Sequence, residues 1–484
     1  MSMQDDRRAE RIIPAERVTG FVSAERSGFI SAGASRPRRS RWQLWAIGIL
    51  AAVFLLQVVY QLFFTNRSFA DMERLKALGK LSMAPAKAKG DSKDWPGWRG
   101  PNRDGVSPAR NFLTDWSPSS PPKLWEKPTW GGYSSLAVAA GRVYTLIQDG
   151  QDEAAVCWDA KDGTELWRYR YPAFYRNEYG NGPRSTPMVD GDFAYTVGGT
   201  GILHCLKTKP ATPAGEMVWK KDLLTEFGAP NLKWGVSFSP LVEGDLVYTM
   251  PGGPDGNSLA AFNKRTGELQ WKNLDDPAGY SSPIAATIDG KPQIVFFTAL
   301  GLVGVSPNDG TLLWRFPWET DYGCNIATPI VVQNYIFISS GYRRGCALLD
   351  IEDQGGSMQA NRVYENKKMC NHFPSCILLN GYLYGFDDTR LTCMELATGQ
   401  VRWKKISFED RTAMGKGSIL GAGNYLIILG EHGKLALADA SPEGYQEKAA
   451  CQVSERKCWT VPVLADGRLY VRDEKTLMCF DLRK

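Results

Sequence analysis

After residue 120 the chain alternates short apolar runs with polar turns in one recurring order. A small polar step leads into an apolar run, a turn containing Gly, Asp or Asn follows, and a second apolar run ends near a Tyr, as in STPMVDGDFAYTV (185–197) and FSPLVEGDLVYTM (238–250). A third run leads into a polar corner, and a fourth carries a Trp. The corners are DAKDGTELW (159–167), FNKRTGELQW (262–271), SPNDGTLLW (306–314) and ELATGQVRW (395–403). Gly and Asn/Asp are turn formers, because Gly tolerates positive φ and the Asx side chains close local hydrogen bonds. Aligned on Leu136, Pro187, Pro240, Pro283, Pro329, Cys376, Ile419 and Pro462, the pattern recurs eight times at intervals of 43 to 53 residues. Four short antiparallel strands per repeat, eight times over, predict an all-β, eight-bladed β-propeller rather than a linear β-solenoid, whose repeats are shorter.

The ends of the repeat array support a closed ring. The last copy stops after its third strand, at MCFDLRK (478–484), whereas PKLWEK (122–127) is a lone Trp strand with no blade of its own. Pairing 122–127 with 459–484 completes the eighth blade and removes the exposed edges. The propeller thus spans 122–484, preceded by a lead-in segment at 95–121.

Upstream the pattern changes. From Trp42 to Phe64 the chain reads WQLWAIGILAAVFLLQVVYQLFF, 23 residues without a charge. As a helix this run would be roughly 35 Å long, enough to cross a hydrocarbon core of about 30 Å. It is too long for a signal peptide and no small-residue cleavage site follows, so a transmembrane helix is expected at 42–64. Arg36, Arg38, Arg39 and Arg41 crowd its N-terminal side, which places the Arg-rich, disordered tail 1–41 in the cytoplasm and the propeller outside it, beyond a linker at 65–94. The expected location is the cytoplasmic (inner) membrane, single-pass, with the propeller facing the periplasm.

Composition adds little beyond this. The net charge of +5 arises mostly in 1–41, where nine Arg face five acids, so a nucleic-acid-binding face is not expected. The 16 Trp and 49 Gly suit a turn-rich β protein. Trp125, Trp167, Trp219, Trp271, Trp314 and Trp403 stand at equivalent outer-strand positions, and blade-to-blade docking is their expected role. Tyr364 falls near that position in one blade, and the blade at 415–458 has no Trp.

The corners CWDAKDGTELW, AFNKRTGELQW and CMELATGQVRW resemble the repeat of the pyrroloquinoline-quinone (PQQ)-like propeller family, Ala-x-Asp-x-x-Thr-Gly-x-x-x-Trp, with a resemblance covering about 120–484. WPGWRGPNRDGVS (95–107) is similar to the lead-in of large bacterial PQQ-like propeller proteins. The family includes quinoprotein alcohol dehydrogenases and the cofactor-free outer-membrane assembly lipoprotein BamB. On that alignment Cys157, Cys393 and Cys479 fill a small buried position, and Cys205 and Cys346 lie on equivalent third strands. Cys324, Cys370, Cys376, Cys451 and Cys458 remain, with Cys451–Cys458 and Cys324–Cys370 as the disulfide pairs to test.

The resemblance implies that a family dehydrogenase has a Ca²⁺ site, a catalytic Asp and usually an adjacent Cys-Cys disulfide. The chain contains no Cys-Cys dipeptide, no C-x-x-C-H haem motif and only three His, at 204, 372 and 432. No catalytic or metal residues are assigned, and no cofactor is expected; PQQ and Ca²⁺ belong to the alternative reading, a PQQ-dependent alcohol or polyol dehydrogenase. Residues a few places before each aligned position should enter the innermost strands from one end of the ring. Tyr133, Arg184, Trp234, Tyr280, Asn325, His372, Lys416 and Lys457 are therefore the expected lining of a central funnel. The functional expectation is a non-catalytic scaffold that binds envelope proteins, with a BamB-like assembly role. A sugar-polymer-binding protein is a third option, and the oligomeric state is left open.

Overall fold

In the computed structural model, described for residues 93–116, 120–405 and 415–484, eight four-stranded antiparallel sheets follow one another around a ring. The first blade comprises Ala137–Ala139, Arg142–Asp149, Asp152–Asp159 and Glu165–Pro172. Blades two to seven repeat this order. The eighth takes its outer strand from far upstream: Lys123–Pro128 pairs antiparallel with Thr476–Asp481, Trp125 facing Cys479. The described residues fall in one unit, Ala70–Lys484. The tail 1–41, the expected membrane span 42–64 and the linker up to residue 92 lie outside them. Among the described residues no helix is long and apolar enough to cross a membrane.

The hydrophobic pattern explains the strand order. Second and third strands, such as Arg142–Asp149 and Asp152–Asp159, are buried on both faces along most of their length and so read as continuous apolar runs. Fourth strands face solvent on one side, and in Met217–Asp222 or Leu269–Asn273 only the Trp is fully buried. Opposite each Trp stands a small residue: Cys157, Cys205, Ala261, Gly304, Cys393 and Cys479 face Trp167, Trp219, Trp271, Trp314, Trp403 and Trp125. A larger side chain there would displace the indole. Cys205 and Cys346 both lie on third strands, as expected, but it is Leu348 rather than Cys346 that stands opposite Tyr364.

Five of these six Trp dock on the next blade's corner. The indole N–H of Trp125, Trp167, Trp219, Trp271 and Trp403 donates to the carbonyls of Ala160, Thr208, Lys264, Pro307 and Ser441, at 2.8–3.2 Å. The corner glycine lies flat beneath the ring. Gly267 has φ +73°, and a Cβ there would stand 2.7 Å from Trp219. Tyr364 makes the same link through its hydroxyl, to the Leu396 carbonyl at 2.8 Å. Trp314 does not: it donates to Gln293 Oε1 of its own blade at 2.6 Å and lies over Gly304. The following blade carries a long hairpin, Gly345–Gln354 with Ser357–Asn366, in place of the tight corner on which Trp314 would dock.

All ten cysteines are free, so neither expected disulfide is formed. The Cys324, Cys370 and Cys458 sulfurs each approach a nearby backbone carbonyl instead, those of Tyr322, Lys367 and Arg456. Burial pushes the thiols of Cys157, Cys205, Cys346, Cys393 and Cys479 up to about 12, keeping them neutral.

Two features close the ring and its axis. Arg472, fully buried in the eighth blade, donates to the carbonyls of Gly131, Gly132, Ser134 and Leu146 and to Thr145 Oγ1, stitching the last blade to the first. The lead-in, meanwhile, touches the inner edge of seven blades. Trp95 bridges Val138, Pro96 accepts from Val189, and Arg103 donates to Ser239 and Pro240. Trp98 donates to Thr328, Arg99 to Cys376, and Ser107 to Leu464, while Val106–Ser107 adds a parallel strand beside Gly421 and Ala422. A segment that meets so many innermost strands must cross the axis. It plugs the channel at that level.

Candidate functional site

Above the plug lies a cavity of about 680 Å³. Its lining comes from the loops that lead into the first strands, and it includes Tyr133, Arg184, Trp234, Tyr280, His372, Lys416 and Lys457. The structure thus brings seven of the eight expected residues to one cavity. Asn325 is the exception and is fully buried in the wall. Its Nδ2 donates to the Thr298 and Trp318 carbonyls, both at 2.8 Å, and its Oδ1 accepts from Ser340. An amide satisfied on both ends is a bracket for the loop, and Cys324 and Ile326 on either side of it line the cavity instead.

Sequence reasoning missed Trp98, Tyr179, Tyr342, Phe373, Glu431 and Trp459. Tyr342 and Glu431 come from the loops after second strands, a second set of positions at the same end of the ring. Trp98 comes from the plug and closes the cavity from below; a Trp in the Gly-rich WPGWRG segment was the available signal.

Nine rings form a continuous arc. Tyr280 neighbours Trp234 at 5.9 Å between centroids, Trp234 neighbours Tyr322 at 5.7 Å, and Tyr322 neighbours Tyr342 at 5.8 Å. The arc continues through His372 at 4.8 Å, Phe373 at 6.0 Å and Trp459 at 5.2 Å, ending in Tyr133 and Tyr179 at 5.0 and 6.4 Å from Trp459. Cations lie against it. Arg184 stands over Tyr175 and Tyr133, Lys457 over Trp459, and Lys233 at the margin over Trp234 and Tyr322.

The polar groups are held by one another. Arg184 donates to the Gly180 and Gly182 carbonyls, and burial lowers its pKa from the ordinary guanidinium value. The Tyr133 hydroxyl donates to the Tyr179 carbonyl, and burial pushes it up to about 12. Glu431 Oε1 accepts from the Trp459 indole at 2.8 Å, and its Oε2 from the Lys416 amide at 3.1 Å. Burial and the nearby Lys416 charge hold His372 below its usual range, hence neutral at pH 7.

The calcium that the resemblance would imply needs six to eight oxygen ligands, several from carboxylates. Glu431 is the single carboxylate in this lining and both its oxygens are engaged, and no group of three metal-ligating side chains occurs among the described residues. The donor set does not fit that ion.

The family model described as outer membrane protein assembly factor BamB matches residues 176–405. The chain is an eight-bladed propeller that is similar to this PQQ-like repeat family over those residues. BamB from Moraxella catarrhalis is similar at 13% identity and TM-score 0.54, over 74% of this chain and 99% of that one. A quinohemoprotein alcohol dehydrogenase from Pseudomonas putida HK5 is similar at 12% identity and TM-score 0.52, over 85% and 82%. Sqt1 of Saccharomyces cerevisiae is similar at 11% identity and TM-score 0.52, over 76% and 100%. At these identities the likeness shows the fold alone. No curated protein matches this chain in sequence.

Proposed function

We propose that the protein is a non-catalytic binding propeller, tethered by residues 42–64 to the cytoplasmic membrane with its propeller on the extracytoplasmic side, that receives envelope proteins at its funnel and serves their assembly. The observation that carries this reading is the blind funnel, walled by eight rings of the arc and three cations, of which Arg184 and Lys457 are already hydrogen-bonded into the wall. Such a lining holds a ligand by shape, ring faces and charge. The match to a model described as an assembly factor supports the envelope role.

The test is site-specific photocrosslinking from position 342 in the full-length protein in its native membranes. The expected result is one exported envelope protein, identified by mass spectrometry and lost when Arg184 and Lys416 are both replaced by Ala. No crosslink, or one unaffected by the two substitutions, refutes the funnel as the binding site. In parallel, PQQ and Ca²⁺ are added to the purified protein; a quinone absorption band with dye-linked alcohol oxidation overturns the non-catalytic reading.

A further inference from the structure

We infer that the segment received by the funnel is an acidic peptide that also bears apolar side chains; this rests on the binding role proposed above. Three cations, Arg184, Lys416 and Lys457, line the cavity against one carboxylate, Glu431. None of the three has a carboxylate of the lining as partner. Arg184 donates to carbonyls, Lys457 donates to the Tyr179 carbonyl at 3.2 Å, and Lys416 stands 3.5 Å from Asp388, an exposed residue outside the lining. Glu431 offsets them weakly toward a ligand, since both its oxygens already accept protein hydrogen bonds. Lys233, exposed at the margin, adds a fourth positive charge. Cations in a concave, partly desolvated wall concentrate field on an entering anion and favour carboxylates.

The ring geometry selects the shape of the ligand. No two neighbouring rings of the arc are parallel: their planes meet at 37° to 85°, with Trp234–Tyr322 and His372–Phe373 both at 85°. Inclined rings make a series of notches rather than one flat platform. Notches suit the separate side chains of a peptide better than the single plane of a sugar ring or a fused aromatic. A volume of about 680 Å³ admits a segment of drug-like size, the tip of a loop or a chain end.

The experiment is selection of a random heptapeptide display library on the full-length protein in detergent. Asp and Glu should be enriched together with Phe, Leu or Tyr. Individual selected peptides should bind about tenfold more weakly when their acids are replaced by amides, or when Lys416→Gln and Lys457→Gln are combined, the equivalent of losing roughly 1.4 kcal/mol. The Gln variants leave the Arg184 brackets intact, and an unchanged melting temperature shows that they fold. A pool without acid enrichment overturns the inference, as does an identical pool from the Gln variant. Retention of uronate oligosaccharides with no selected peptide overturns it as well. An acid-rich pool in the absence of any membrane crosslink at position 342 sinks the envelope role and leaves the ligand chemistry standing.

Discussion

Substituting Gly267 by Ala tests how the blades are joined. Gly267 combines two demands: φ +73° and the face of Trp219 at 2.7 Å from where a Cβ would be. Placing an L-residue in the left-handed region costs about 1–2 kcal/mol. Pressing a methyl into the indole adds about 1–3 kcal/mol, because Trp219 is anchored by its bond to the Lys264 carbonyl at 3.0 Å and cannot retreat freely. The stiffer unfolded chain returns about 0.4–1 kcal/mol. The net loss is thus roughly 2–4 kcal/mol. Gly244 in the same blade is the control: its φ is +60°, and nothing lies within 4 Å of its would-be Cβ. Its Ala variant should lose only about 1 kcal/mol. Unfolding entropy for a propeller of roughly 360 residues is on the order of 0.8 kcal/mol/K, so calorimetry should show a Tm drop of about 3–5 °C for Gly267→Ala and about 1 °C for Gly244→Ala. In a Trp219→Ala background the two penalties should converge, since the clash is gone. Equal penalties in the wild-type background would refute the docking argument.

Gln293→Leu should destabilise the protein by about 1–3 kcal/mol by stranding the Trp314 N–H, an effect absent when Trp314→Phe is already present. Arg472→Met removes a fully buried cation that five acceptors share, and should lower the denaturant midpoint by the equivalent of about 3–5 kcal/mol. Glu153, fully buried between Tyr171 and Gly199, has its pKa pushed up to about 7 from 4.5 by desolvation. The unfolded state therefore gives up its proton first, and stability on the order of 3 kcal/mol is lost as pH rises from about 4.5 to 7. His204, whose ring lies 4.3 Å from Tyr171, is lowered to about 4, so its contribution runs oppositely and is lost as pH falls from 6.5 to 4. Thermal melts across pH 4–8 should show the two nearly cancelling, with Glu153→Gln exposing a stability that rises with pH. Non-reducing diagonal gels should show no shift, and ten thiols should titrate in guanidinium.

The ring was legible because its signals are local. A Pro-like step, a Gly/Asp turn and a corner with Trp each act within a few residues, and seven of the eight aligned positions stand immediately before a first strand. The seven cavity residues were legible for the same reason, since a position a few residues before a first strand puts a side chain at one end of the ring. What escaped depends on partners far away in sequence. Where Trp314 turns is decided by whether the next blade offers a tight corner, and the untypical hairpin at 345–366 does not. Asn325 has the offset of a lining residue, but three neighbouring polar groups hold its amide in the wall. Arg472 reads as one more charge near a strand end, and only ring closure reveals its five acceptors in the first blade.

The lead-in has the largest consequence of those unread features. A propeller's axis is a channel, and the arc of rings alone would line a passage rather than a pocket. The lead-in closes it by substituting for water along the innermost strands. Arg99 and Arg103 are almost completely buried, yet their guanidinium groups donate to the carbonyls of Arg103, Asp104, Ser239, Pro240 and Cys376. Burial accordingly drives the pKa of both downward, Arg103 to about 9. Burying two cations is costly unless they are hydrogen-bonded, and here the plug's own Arg103 and Asp104 carbonyls and the strand-entry carbonyls of Ser239, Pro240 and Cys376 accept from them, while Arg103 Nε has no acceptor. Three of these five hydrogen bonds join plug to ring. Trp98 is where the plug meets the cavity, because the same indole that donates to Thr328 at 2.8 Å forms part of the cavity's lining.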